Sequence, residues 1–101
     1  MGLVDLVAGR PAGTPHAEAL EHAQQGVTVY WRPGCPFCTR LRLAVRRQRA
    51  TARWVNIWED PQGRAWVASV NAGNEVVPTV VIDGVPHTNP DPAIVRAALG
   101  R

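Results

Sequence analysis

From Val27 onward, the spacing of apolar residues divides the chain into alternating strand and helix patterns. Val27-Thr28-Val29-Tyr30-Trp31 is a run of β-branched and aromatic residues without charge, the pattern of a buried strand. The period then changes. Phe37, Leu41, Ala44, Val45 and Gln48 share one face, and Arg42, Arg46 and Arg49 share another, which predicts a helix over about Pro36 to Arg49. Arg53-Trp54-Val55-Asn56-Ile57-Trp58 alternates as a second strand. Glu59-Asp60-Pro61 opens a second helix that runs to about Asn71, with Trp66, Val67 and Val70 inward and Gly73 at its end. Val76 to Ile82 reads as a third strand with a proline near its start. Asp83-Gly84 is a two-residue hairpin signal leading into a short edge strand, Val85-Pro86-His87. Asn89-Pro90-Asp91-Pro92 opens a last helix ending near Leu99.

The order strand, helix, strand, helix, strand, strand, helix limits the topology. A right-handed crossover pairs the first two strands in parallel, and the hairpin adds antiparallel neighbours. The expected fold is α/β, with a four-stranded mixed sheet flanked by helices. Residues 1–26 precede it as an N-terminal extension, and residues 27–101 form the domain. Within the extension, Thr14 as cap, Pro15 in the first turn and Gly26 as stop predict one short helix over His16 to Gln25. No chemistry is evident there.

With 101 residues there is room for one core. Hydrophobic residues make up 46% and charged residues 19%, an ordinary globular balance. No apolar run is long enough for a membrane span, and Met1-Gly2-Leu3-Val4-Asp5-Leu6 lacks the early positive charge of a signal peptide. A cytoplasmic location is expected. The net charge is +3, and every basic residue is Arg. That bias, with abundant Ala, Gly, Pro and Val, reflects GC-rich coding more than a nucleic-acid partner. The stripe Arg40, Arg42, Arg46, Arg47, Arg49 and Arg53 reads as the solvated face of a helix.

The candidate chemistry lies in Cys35-Pro36-Phe37-Cys38. A secreted chain of this size would usually carry more than two cysteines, as a disulfide framework. Cys35 falls where a strand ends and a helix begins, with Pro36 at the first helical position. Its sulfur would meet free backbone N–H groups and the positive end of the helix, and Arg32 adds a charge nearby. These favour a thiolate. A stabilised thiolate gains little as an attacker but leaves more readily. Cys38 lies one turn further on, on the inward face with Leu41 and Val45, within reach of a disulfide to Cys35. Cys35 is the expected attacking thiol and Cys38 the resolving one. Val77-Pro78 reads either as a strand boundary or as a cis bond beside the cysteines, with the Val77 backbone offered to a substrate.

Val29-Tyr30-Trp31 leading into Cys35-Pro36-Phe37-Cys38, then Val77-Pro78-Thr79 and Asp83-Gly84, resembles the glutaredoxins over about residues 27–99. Ser69-Val70-Asn71-Ala72-Gly73-Asn74 and Thr88-Asn89-Pro90 look like the mycoredoxin branch of actinomycetes. The resemblance implies a thioredoxin-like fold and a cis Val77–Pro78 bond. It implies a thiol–disulfide oxidoreductase that needs no cofactor and acts on mixed disulfides between proteins and a low-molecular-weight thiol. Mycoredoxins use mycothiol, which carries a pseudo-disaccharide. Arg32, Pro36, Phe37, Val77, Pro78, Thr88 and Asn89 would form the substrate surface, and the protein would act as a monomer. Many glutaredoxins place Gly-Gly and an acid after the hairpin to hold glutathione. His87-Thr88-Asn89-Pro90-Asp91 stands there instead, which favours another thiol.

Other readings are weaker. Structural zinc would need a second ligand pair, and His16, His22 and His87 do not supply one at suitable spacing. No metal site is expected. A shared iron–sulfur cluster is known in some glutaredoxins, and the resemblance implies that Pro36 disfavours it here. A dithiol reductase dedicated to one protein partner stays open. Trp31 and Trp54 are expected in the core, and Trp58 and Trp66 between the second helix and the sheet. One of the four tryptophans could instead serve a sugar.

Overall fold

The computed structural model describes residues 13–100. The readings placed on Met1 to Ala12 lie outside them. The elements are α1 (His16–Glu21), β1 (Val27–Trp31), α2 (Pro36–Ala44), β2 (Arg53–Asn56), α3 (Pro61–Val70), β3 (Thr79–Ile82), β4 (Val85–Thr88) and α4 (Pro92–Leu99). The sheet order is β2-β1-β3-β4. β1 and β2 are parallel, and the β1–β3 and β3–β4 pairs are antiparallel. The mixed four-stranded sheet expected from the element order is present.

β1 is buried along its whole length because it sits between helices on both faces. Tyr30 faces α1 and α3, where its ring stacks on Trp66 with centroids 4.5 Å apart. Trp31 faces α2, where the Arg42 guanidinium lies 5.2 Å from its ring centroid. Arg42 is only 4% exposed, so it does not belong to the solvated stripe expected of it. The flat guanidinium lies over the indole, a contact that suits Arg at this buried position. Leu41, Val45, Val67, Val80 and Val95 complete the core.

Gly63 sets how closely α3 approaches the sheet. A Cβ at that position would lie 2.8 Å from Cγ1 of Val55, closer than carbon atoms tolerate. The hairpin follows its signal: Asp83 and Gly84 both take positive φ, 48° and 87°, as the mirror-image turn requires.

Several boundaries differ from expectation, and each has a tertiary cause. α2 stops at Ala44 instead of Arg49, since the Arg49 carbonyl accepts from Nε1 of Trp54 at 2.8 Å and a 3₁₀ turn forms at Arg49–Thr51. α1 ends at Glu21, and the Gln25 carbonyl is taken by Arg53. Thr14 does not cap it; its N–H donates to the Trp54 carbonyl at 2.7 Å, beside a parallel bridge from Gly13 to Trp54. β2 ends at Asn56, whose Oδ1 accepts from the Trp58 N–H at 2.9 Å. β3 starts at Thr79, after a proline that has no N–H for the ladder. Val70 is exposed at the end of α3, and Trp58, expected between that helix and the sheet, is 57% exposed.

The described part of the N-terminal extension joins the same core. Ala19 is fully buried. The His16 N–H donates to Oδ2 of Asp60 at 2.8 Å, and its Nδ1 is hydrogen-bonded to the Tyr30 hydroxyl at 2.8 Å. Burial, with the Asp60 charge next, pushes the Tyr30 hydroxyl up from 10.0 to about 12. Burial alone would raise Asp60. The N–H groups of Gly63 and His16 outweigh it and hold that carboxyl below its usual range.

Candidate active site

Arg32-Pro33-Gly34 connects β1 to α2, with Gly34 at φ +77°, a value its missing Cβ permits. The turn delivers Cys35 to the N-cap of α2, and Pro36 begins the helix. The Cys35 sulfur accepts the Cys38 N–H at 3.4 Å, so a thiol occupies the capping position where an oxygen would normally sit. Its own S–H faces the Val77 carbonyl at 3.6 Å. Both cysteines are reduced and buried, Cys35 4% exposed and Cys38 1%.

Burial is the main reason that the Cys38 thiol is pushed up from 9.0 to about 12. The Arg32 backbone N–H works against it, the Cys35 side chain adds to it, and the Arg32 charge opposes again more weakly. Cys38 is therefore held as the thiol, directly behind the sulfur it would have to attack.

The Val77–Pro78 peptide bond is cis, as expected. Pro78 is fully buried, and its carbonyl accepts from the Asn89 N–H at 2.8 Å. The loop before β3 thus joins Cys35 on one side and Asn89 on the other. Arg32, Cys35, Cys38, Val77, Pro78 and Asn89 are linked by these contacts. Pro36 and Phe37 lie exposed on the first turn of α2, Phe37 at 53%. Thr88 lies next to Asn89, but its hydroxyl donates to Oδ1 of Asn71 at 2.6 Å and is engaged within the fold.

Sequence reasoning gave Asn71 no role. Its side-chain amide donates to the Val67 carbonyl at 2.8 Å and to Oγ1 of Thr79 at 3.1 Å. It stands in the Ser69–Asn74 stretch that carried the finer resemblance, which was the available signal. Among the described residues, no three His, Cys, Asp or Glu side chains gather as a metal would require. None of the described helices is long and apolar enough to cross a membrane.

The glutaredoxin family model matches residues 27–87. The chain belongs to the glutaredoxin family. Mycoredoxin 1 of Corynebacterium glutamicum is 38% identical to this glutaredoxin over 74 residues, covering 72% of the chain and 91% of the relative. A protein of Mycobacterium tuberculosis named as a glutaredoxin matches at 38% over 74 residues, 72% of the chain and 88% of the relative. Among solved structures, the holo form of glutaredoxin C1 from Populus tremula x tremuloides superposes with a TM-score of 0.54 at 22% identity, over 78% of this chain and 85% of that one. The thioredoxin of Malassezia sympodialis superposes at 0.51 with 17% identity, over 90% and 92%. The fold is thioredoxin-like, and this glutaredoxin is a thiol–disulfide oxidoreductase of the mycoredoxin-like kind.

Proposed function

We propose that this glutaredoxin reduces mixed disulfides between proteins and mycothiol, with Cys35 as the attacking thiol. The observation that carries the reading is the 3.6 Å contact between the Cys35 sulfur and the Val77 carbonyl. It joins the reacting atom to a loop backbone with which an extended substrate pairs.

The Cys35 thiolate attacks the mycothiol sulfur of the mixed disulfide. The protein substrate leaves as a thiolate, and Cys35 holds mycothiol in a new S–S bond. A second mycothiol thiolate then attacks the bound mycothiol sulfur. Cys35 is released as thiolate and mycothiol disulfide departs. Over the two steps one free mycothiol thiol is oxidised into mycothiol disulfide as the protein thiol is regenerated, so no bound cofactor takes part. Closure by Cys38 would release mycothiol and leave a Cys35–Cys38 disulfide. Burial holds Cys38 as the thiol in the reduced protein, and release by a second mycothiol does not call on it.

Two features favour mycothiol over glutathione: the 38% identity to mycoredoxin 1, and His87-Thr88-Asn89 in place of a Gly-Gly-acid grip. Proteins carrying such mixed disulfides are the partners, in a thiol-rich cytoplasm. The test is coupled turnover on a mycothiol mixed disulfide beside its glutathione equivalent. Faster turnover with mycothiol is expected. The reverse order would assign glutathione. Activity only on protein disulfides, lost in Cys38→Ser, would assign the protein-partner reductase.

A further inference from the structure

Of the six aromatic residues, Tyr30, Trp31 and Trp54 are buried and Trp66 is partly buried. The two that remain in solvent are Phe37 on the first turn of α2 and Trp58, which is 57% exposed. The backbone of Trp58 is anchored. Its N–H donates to Oδ1 of Asn56 at 2.9 Å, and the preceding N–H, from Ile57, donates to the Trp31 carbonyl at 2.9 Å. The indole is thus tied by its backbone to the end of β1 from which the Arg32–Gly34 loop leaves. The Arg32 guanidinium lies 5.7 Å from the centroid of the ring. Arg32 also reaches the cysteines: its backbone N–H and its charge both act on Cys38. A chain of contacts therefore runs from the thiols through Arg32 to an exposed indole.

We infer that Trp58 and Arg32 form the subsite for the sugar portion of the low-molecular-weight thiol. This rests on the mycothiol reading above and deepens it. A sugar ring presents C–H groups on its faces and hydroxyls on its rim. The indole face takes the C–H surface, and the guanidinium, already set beside the ring, donates to the hydroxyl oxygens. Glutathione, a flexible peptide with two carboxylates, has no such flat apolar face. Trp58 is then a specificity-determining residue, held near the end of β1 from which the loop to Cys35 leaves.

The test compares Trp58→Ala and Trp58→Phe with the unsubstituted protein on a mycothiol mixed disulfide and on a hydroxyethyl mixed disulfide, which has no sugar. The ratio of kcat/KM between the two should fall about tenfold in Trp58→Ala, the size of one lost aromatic stack. The loss should fall on KM, as for an interaction made equally in the ground and transition states. Trp58→Phe should keep most of the ratio. An unchanged ratio in Trp58→Ala, with normal mycothiol turnover, overturns the subsite and leaves the substrate standing. Failure of the unsubstituted protein to turn over the mycothiol disulfide overturns the substrate reading and the subsite together.

Discussion

The Thr88 hydroxyl donates to the side-chain carbonyl of Asn71 at 2.6 Å, and through that bond the end of β4 is tied to the end of α3. Asn71 also donates to Thr79 at the start of β3, and the Thr79 hydroxyl donates to the Val76 carbonyl at 2.7 Å. One amide thus fixes both ends of the loop that carries Val77 and Pro78.

Replacing Asn71 with Ala removes partners from Thr79, Thr88 and the Val67 carbonyl. The expected loss of stability is about 1–3 kcal/mol, the range for leaving partly buried polar groups unpaired. Thr88→Ala, at an exposed position, should cost about 1 kcal/mol or less. Urea unfolding of the three proteins checks the order. Turnover of a mixed disulfide should fall further in Asn71→Ala than in Thr88→Ala, because only Asn71 also holds Thr79.

Much of this arrangement was legible in the sequence. Pro36 after Cys35 marked the helix start, Asp83-Gly84 marked the hairpin, and Val77-Pro78 was singled out beside the cysteines. What escaped were contacts between distant segments. Arg42 follows helical spacing onto a face that looks polar, yet the position is an interior one, with Trp31 beneath the guanidinium. Trp58 looks like a core residue by type, yet Asn56 ends the strand early and leaves the ring outside. His16 carried no signal, since its partners Tyr30 and Asp60 come from other parts of the chain.

Cys38→Ser should retain turnover through the low-molecular-weight thiol, since Cys38 is held as a buried thiol and the second step does not need it. Steady-state assay with excess thiol is the measurement. A drop of more than about tenfold would assign Cys38 a required chemical role.

The raised groups also set an alkaline limit. Cys38 and Tyr30 keep their protons more tightly in the folded protein than in the unfolded chain. Their contribution is fully present below the ordinary Cys value of 9.0 and is lost as pH rises toward about 12. Urea unfolding of the reduced protein should show stability falling from about pH 9. In Cys38→Ser the fall should begin nearer the Tyr value of 10.0.

Gly63→Ala should destabilise by about 1–3 kcal/mol, because the new methyl meets Val55 at van der Waals overlap. Val55→Ala in the same chain should recover part of that loss, a coupling visible in a double-mutant cycle.

The Gly13–Thr14 contact with Trp54 bears on how the sheet meets its surroundings. β2 and β4 are the two margins of the sheet, where unpaired backbone groups invite another chain. The Gly13 bridge and the Thr14 N–H occupy part of the β2 margin. On the β4 margin, Pro86 offers no N–H at the middle of a short strand. The Gly13–Thr14 segment thus helps to keep an otherwise open sheet from adding strands, and so guards the protein against joining other chains edge to edge.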